Sequence, residues 1–457
     1  MQAVSEHFGD VEENPSPPRT ASVATLGCKL NQYESEQILA QFRAAGYDVV
    51  DRATQADIFV VNTCAVTANA ERKARTLLRS YRRQHPTALI VAAGCMAERT
   101  PDTLAAMDGV RVVIGNREKG RVLDYVTPGL TAGPTGVHVG GVHRAARFEP
   151  SAVVTSLLGR TRTFLKIQDG CSQSCTYCII PRLRGRGRSL PIADAVAEIQ
   201  RLVGEGFAEI VLTGVALGTY GRDLGLNDGL SLLLESLREV EGLRRLRLGS
   251  VEPWAISDRL LRVMAESEVI CPHLHLPLQT ADDEILRRMN RRYTVRDIER
   301  IFDRSARIHN RWGFGADVIV GFPGESNRSF KATREFLDDS PVSYLHVFPY
   351  SPRPGTPALR LPDPVPESET RTRVRIMKDL DADLRRRFRE QHIGCIESVL
   401  FESRRVGGLL AGHASDYLDV YADMPDGFAG MICSVEVIAP HPNGVIGRTM
   451  NEGPSSS

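Results

Sequence analysis

From Ala21 onward, short apolar runs alternate with stretches in which apolar residues recur every three or four positions, the periods of strand and amphipathic helix. Strands are predicted at 22–26, 57–61, 88–92 and 111–114. Helices are predicted over 34–45, after Asn62-Thr63-Cys64 through Arg83, and after Gly94-Cys95. Between 121 and 160 the glycines and prolines break any long element, so that stretch reads as a linker with one short strand or hairpin. Alternation resumes with strands at 164–167, 209–212, 246–248, 273–276, 317–320 and 345–348, and helices clearest at 192–205 and 294–309. Six strand–helix units are too few to close an eight-stranded barrel and fit an open partial one, whose C-terminal strand ends would carry the site. Beyond Pro362, Pro364 and Pro366 an arginine-rich helix over 371–390 leads into short β runs at 398–401, 418–421 and 431–435. Runs of that length suggest a small OB-like β-barrel.

The expected fold class is therefore multidomain α/β: an N-terminal open parallel α/β domain, a partial (β/α)6 barrel and a C-terminal small β-barrel. The boundaries read as a disordered acidic lead-in at 1–20, then 21–120, the linker 121–160, 161–390, 391–450 and a frayed tail at 451–457. No apolar run reaches membrane-spanning length, and the first twenty residues lack a signal-peptide pattern. A net charge of +1 gives no global case for a nucleic-acid partner, so any such case must come from local patches. Nine cysteines, an odd number without an export signal, point to a reducing compartment, the cytosol, and to metal or redox chemistry.

Cysteine placement changes the picture most. Cys171, Cys175 and Cys178 form C-x3-C-x2-C directly after the first barrel strand, with Tyr177 before the last thiol. Cys28, Cys64 and Cys95 each stand just after a strand and just before a helix. If those strands are parallel, the three thiols emerge on one edge of the sheet, where open sheets bind ligands. Three thiolates are one short of the four that close a cluster or a structural zinc site. A [4Fe–4S] cluster on three thiolates keeps one iron open. Buried structural cysteines, or half of a zinc site, are the alternatives.

Thr25-Leu-Gly-Cys-Lys-Leu-Asn-Gln-Tyr-Glu34, Val61-Asn-Thr-Cys64, Gly94-Cys-Met-Ala97, Lys166-Ile-Gln-Asp-Gly-Cys171, Cys178-Ile-Ile-Pro181, Asp317-Val-Ile-Val-Gly-Phe-Pro-Gly-Glu325 and His346-Val-Phe-Pro-Tyr350 follow in this order. Together they resemble the radical S-adenosylmethionine (SAM) methylthiotransferases, whose domains are an N-terminal three-cysteine domain, a radical-SAM domain and a C-terminal TRAM barrel. The resemblance implies two [4Fe–4S] clusters. The catalytic one, on Cys171, Cys175 and Cys178, would cleave bound SAM to methionine and a 5′-deoxyadenosyl radical. The auxiliary one, on Cys28, Cys64 and Cys95, would hold the sulfur that a second SAM methylates. By the same analogy Tyr177, Thr213, Gly214, Glu252, Gln279 and Asp317 are candidate SAM contacts. The motifs most resemble the branch acting on N6-threonylcarbamoyladenosine at position 37 of tRNA. The rival branches act on isopentenyladenosine in tRNA or on an aspartate of a ribosomal protein, and a rival class is a non-catalytic zinc protein that binds RNA.

Arg182-Leu183, Leu190 and Ala216 depart from the expected pattern, where Tyr-Ala, Arg and His are usual. The implied partners are the tRNA anticodon stem-loop, an electron donor and a sulfur source, with no membrane and a monomer as the expected state. Because the threonylcarbamoyl base carries a carboxylate, an arginine or lysine should face it. Candidate phosphate contacts are Arg182, Arg184, Arg186 and Arg188, the helix from Arg72 to Arg83, and the arginine-rich helix before the barrel. The barrel itself is acidic.

Overall fold

The computed structural model describes residues 19–51, 55–126, 135–145, 147–149, 161–309 and 311–450. Most of the expected lead-in, the tail and much of the stretch 121–160 lie outside them.

The N-terminal sheet is wholly parallel. Its strands are β1 (Thr20–Thr25), β2 (Asp48–Val49), β3 (Ile58–Thr63), β4 (Leu89–Gly94), β5 (Val110–Ile114) and β6 (Gly136–His138), in the order β2-β1-β3-β4-β5-β6. The expected short strand beyond 121 exists, and it pairs with β5 as the sixth strand of this sheet. Helices α1 (Lys29–Ala44), α2 (Ala68–Gln84), α3 (Cys95–Arg99) and α4 (Pro101–Ala105) cover its faces. Helix α1 starts five residues before its predicted start at Glu34. Its first turns bury Asn31, Glu34, Ser35 and Gln37 along with Leu30 and Tyr33, so apolar periodicity is lost where the polar side chains serve the interior.

The central domain follows. Strand β7 (Arg162–Lys166) leads into a small antiparallel pair, β8 (Gln168–Asp169) and β9 (Arg188–Ser189), with helix α5 (Ile180–Arg184) between them. Strands β10 (Glu209–Thr213), β11 (Leu246–Leu248), β12 (His273–Gln279), β13 (Gly313–Val320) and β14 (Val342–Pro349) complete two parallel three-stranded sheets, β11-β10-β7 and β12-β13-β14. Single bridges from Leu246 to Ile270 and from Ser250 to His275 join them into an open six-stranded barrel.

The outward positions, among them Leu165, Ile210, Leu212, Leu248, Leu274, Leu276, Ala316 and Val318, pack beneath the surrounding helices as the main core. The inward positions are different in kind. His273 and His275 on β12, Gly313, Gly315 and Asp317 on β13, and Tyr344 and His346 on β14 face the interior. Gly315 has no room for a side chain, because a Cβ there would run into the Tyr344 ring and His275. A closed eight-stranded barrel fills its interior with packed apolar side chains. This one keeps a polar lumen.

The C-terminal unit is a closed barrel of β15 (Ile396–Val406), β16 (Leu409–Ala414), β17 (Asp419–Ala422), β18 (Ile432–His441) and β19 (Gly444–Thr449), reached through the helix Glu367–Glu390. It is docked on the floor of the open barrel. Arg247 donates to the carbonyls of Ala414 and Ser415 at 3.1 and 2.9 Å, and Arg245 to those of His413 and Ser398 at 3.1 and 2.9 Å. Tyr417, held at a φ of 79°, stacks on His273 and His413 and closes the lumen from below. Gly313 lacks a side chain where the Asp416 carbonyl presses against the strand.

Candidate active site

Each thiol of the N-terminal set stands where a parallel strand gives way to a helix. Cys28 follows β1 and precedes the first residue of α1, Cys64 follows β3, and Cys95 opens α3 after β4. Adjacent parallel strands put the three turns on one sheet edge. Gly27, at a φ of 104°, lies so close to Cys64 that a Cβ there would sit 2.8 Å from its sulfur. Asn31 holds the turn shut by donating to the carbonyls of Leu26 and Thr63 at 2.7 and 3.0 Å. Asn116 donates to the Cys95 sulfur at 3.5 Å and to the Leu183 carbonyl at 2.9 Å.

The second set lies on the loop between β8 and α5. Gly170, at a φ of 71°, enters it where a Cβ would overlap the Arg186 carbonyl, so only glycine fits. Thr176 ties the loop to the carbonyls of Met289 and Arg288 at 3.0 and 2.8 Å, and Asn290 to Ser174. Arg291 reaches the Cys175 sulfur at 3.4 Å and is held by the Pro277 carbonyl and the Tyr293 hydroxyl, both at 3.1 Å.

Burial raises two thiols of each set, Cys64 to about 12 and Cys28 in the same direction in the first, Cys178 to about 12 and Cys171 to about 11 in the second. Cys28 nonetheless keeps accessible surface, as a thiol does when it faces an internal cleft. Bare, such thiols hold their protons, and a bound metal group draws them into the thiolate form. Each set also has one arginine that opposes the rise, buried Arg184 for the first and half-buried Arg291 for the second. A cluster on three thiolates is net anionic, so the arginines suit it.

Among the described residues, the sets of three His, Cys, Asp or Glu donor atoms within 4.8 Å of one another are His275–Asp317–His346 and His392–Glu397–Asp416, and neither thiol triad is that tight. One zinc with Zn–S of about 2.3 Å would hold its sulfurs only about 3.8 Å apart. A cubane with its thiolates on different irons takes a wider set, and three thiolates are the donors that leave its fourth iron open.

Arg184 joins the two sets. It ends α5, six residues after Cys178, and its side chain crosses to the N-terminal domain. There it meets both Glu34 oxygens at 2.8 and 2.9 Å and Asn31 at 3.1 Å, and it bonds Asp169 at 3.0 Å. Lys119 and Lys166 complete this buried network on Glu34. Burial works against ionised Glu34, but Arg184, Lys119 and Lys166 outweigh it and hold the carboxyl well below its ordinary range. Leu183, one of the departures from the family pattern, packs with Cys95 and Met96 in the N-terminal core. Leu190 joins the central core, and the Ala216 N–H donates to Gln168 at 2.8 Å.

The candidate SAM contacts fall in two places. Thr213 and Gly214 end β10 behind Gln168, whose Nε2 donates to the Gly170 carbonyl at 2.8 Å. Glu252 accepts from the Gly218 N–H at 3.0 Å and is near enough to Cys171 to act on its charge. Tyr177 packs against Phe322, and Gln279 ends β12 at a φ of 67°. Asp317 is lower in the lumen, 3.2 Å from His346 and 3.6 Å from His275. Of the four arginines expected to meet phosphate, Arg184 and Arg188 are buried in ion pairs with Asp169, which corrects that expectation; Arg182 and Arg186 are exposed. The sequence offers Arg184 only as a phosphate contact and singles out neither Arg291 nor His275, although the motif around Cys28 already contains Lys29, Asn31 and Glu34.

Residues 20–115 match the Uncharacterized protein family UPF0004, and residues 165–337 match the Radical SAM superfamily. A relative from Bacillus subtilis (strain 168), "Threonylcarbamoyladenosine tRNA methylthiotransferase MtaB", is 34% identical over 92% of this chain and 94% of its own. One of the same name from Thermotoga maritima is 36% identical over 88% of this chain and 90% of its own. The chain belongs to the radical-SAM methylthiotransferase family. Another relative, "tRNA-2-methylthio-N(6)-dimethylallyladenosine synthase" from Clavibacter sepedonicus, is 32% identical over 99% of this chain and 87% of its own. Among solved structures, the radical SAM methyltransferase TsrM from Kitasatospora setae shares the fold, with a TM-score of 0.52 at 15% identity over 75% of this chain and 74% of that one. As a methylthiotransferase the protein is an enzyme that uses SAM and two [4Fe–4S] clusters.

Proposed function

We propose that this methylthiotransferase acts on N6-threonylcarbamoyladenosine at position 37 of tRNA and installs a methylthio group at C2 of the adenine. Cys171, Cys175 and Cys178 hold the catalytic cluster, and Cys28, Cys64 and Cys95 the auxiliary one. When bound, the first supplies the radical from SAM and the second the sulfur. Tyr177, Thr213, Gly214, Glu252 and Gln279 surround the SAM position, and Arg291 and Arg184 offset the charge of the two clusters.

The observation that carries this reading over the dimethylallyl branch is the chemistry of the lumen. An isoprenoid arm is apolar and would be matched by apolar walls. Here the inward residues are His273, His275, Asp317, Tyr344 and His346, with the Lys29 ammonium near Tyr417 beside them. Such walls suit an arm with a carboxylate, a urea-like link and a hydroxyl. Exposed Arg182 and Arg186 at the mouth suit RNA phosphate, as does a TRAM role for the C-terminal barrel. Among the described residues no helix is long and apolar enough to cross a membrane, and the cytosol is the proposed compartment.

Nucleoside analysis of tRNA from a deletion strain tests the substrate. Loss of the 2-methylthio derivative of threonylcarbamoyladenosine is expected, and its persistence refutes the reading. Anaerobically purified protein should carry about eight irons with matching sulfide; zinc without a brown chromophore would contradict the cluster assignment.

A further inference from the structure

Lys29 directly follows Cys28, so the first turn of α1 fixes its backbone beside the auxiliary thiols. Its side chain runs into the open barrel. The ammonium lies 5.8 Å from the centre of the Tyr417 ring at the lumen floor, and its charge helps push His273 and His275 down. The neighbouring cations are committed elsewhere. Glu34 takes Arg184, Lys119 and Lys166; Glu209 takes Arg247; Asp381 takes Arg385. Lys29 is exposed and has no carboxylate within ion-pair distance among the described residues. On an outer surface an unpaired lysine is ordinary. Inside a lumen that is otherwise ion-paired, it is a cation placed for an anion.

A second observation comes from the facing wall. His275 is only 7% exposed, and its Nδ1 meets the Ser250 hydroxyl at 3.0 Å. Its Nε2 is buried 3.6 Å from the Asp317 carboxylate, too far for a hydrogen bond. Burial pushes His275 down to about 4, so the ring is neutral at pH 7. The Asp317 carboxylate 3.6 Å from Nε2 favours the tautomer with its proton there, and Nδ1 then accepts from the Ser250 hydroxyl, so Nε2–H faces the lumen as a donor without an acceptor. A buried polar atom left unpaired is costly, a cost removed when an acceptor arrives. His346, Nδ1 on Asp317 at 3.2 Å, stands beside it. Two histidines and a carboxylate also have the composition of a metal site. The unpaired ammonium alongside disfavours a divalent cation and favours an anionic ligand.

We propose that Lys29 and His275 form the subsite for the amino-acid arm of the modified adenosine, Lys29 taking the carboxylate and His275 Nε2–H donating to an oxygen of the arm. This rests on the threonylcarbamoyladenosine reading above. Lys29 is then the residue that selects an anionic arm, set one position from an auxiliary-cluster ligand so that the selected base is delivered beside the sulfur.

The test uses the full-length enzyme with both clusters and three anticodon stem-loop RNAs: one with threonylcarbamoyladenosine, one with its methyl ester, and one with isopentenyladenosine. The wild type should prefer the free carboxylate over the ester by about 10- to 100-fold in kcat/KM, the range of a charged hydrogen bond. Lys29→Met should abolish that preference, chiefly through KM, and Lys29→Arg should restore much of it at normal iron content. Equal preference in Lys29→Met and wild type overturns the subsite while leaving the substrate reading intact. A wild-type enzyme that ignores threonylcarbamoyladenosine RNA overturns the substrate reading itself. Loss of iron in both Lys29 variants makes the residue a support of the cluster and overturns the assignment. So does an extra equivalent of divalent metal that disappears in Asp317→Asn.

Discussion

Replacing Arg184 with methionine removes a buried side chain that ties the two thiol sets together through Glu34, Asn31 and Asp169. Arg184 and Glu34 have side chains only 2% and 4% exposed, and the arginine makes four polar contacts between 2.8 and 3.1 Å. Breaking a buried ion pair from one side costs about 3–5 kcal/mol. Lys119 and Lys166 remain on Glu34, so the two carboxylates are not left bare, and the lower end, about 3 kcal/mol, is expected. Lys166→Met is the internal comparison. Lys166 touches Glu34 and Asp169 only at 3.5 and 3.4 Å and should cost clearly less. Urea unfolding of anaerobic full-length protein gives the stability difference, and iron analysis shows whether the auxiliary cluster survives. The sign with pH is fixed. Glu34 and Asp169 both have folded-state values below their ordinary ones, despite burial. Their contribution is complete above the ordinary carboxylate range and lost as pH falls through the depressed values. The gap between wild type and Arg184→Met should therefore be flat near neutrality and shrink in acid. A variant that unfolds at the wild-type urea midpoint with full iron, or a gap that widens on acidification, would refute the network as the link between the sets.

Other expectations follow from single sites. Cys175→Ala should abolish SAM cleavage, whereas Cys64→Ala should keep cleavage and lose thiolation; 5′-deoxyadenosine from the first variant would contradict the assignment of the two sets. Gly170→Ala places a Cβ on the Arg186 carbonyl at a φ of 71°, and should cost about 1–3 kcal/mol and lower iron occupancy of the catalytic set. Wild-type iron and unfolding midpoint would show that the loop yields. His392 donates from Nδ1 to the Phe388 carbonyl at 2.7 Å and from Nε2 to Asp416 at 2.6 Å, so it is an imidazolium at the joint between the long helix and the C-terminal barrel. Burial opposes that charge, but the Asp416 bond prevails and raises its pKa above the ordinary value. Its contribution is full below about pH 6.5 and lost as pH rises through the folded value. His392→Gln should flatten stability against pH above neutrality, and an unchanged alkaline slope would exclude the latch.

The alternation of strand and helix periods was enough to lay out a parallel sheet, an open barrel and a small β-barrel, because those periods are local properties of the chain. The same holds for the cysteines: three thiols in successive strand–helix turns must share an edge once the strands are parallel. Where the two-period reading slipped, the residues had other work. Helix α1 begins early because its buried first turns are polar. The strand Gly136–His138 is short and glycine-led, and only the edge of β5 gives it a place. What the chain could not announce was the meaning of its polar residues. Arg184 and Arg188 read as a basic run beside Arg182 and Arg186, yet long-range acids at Glu34 and Asp169 bury the first two and leave the others outside. His275, Asp317 and Lys29 read as scattered polar positions until the sheet curved and put them around one lumen. Sequence fixes which face of a strand is polar; whether that face meets water, a core or a substrate depends on curvature and on what closes the open side. Here that is α1 of one domain and Tyr417 of another.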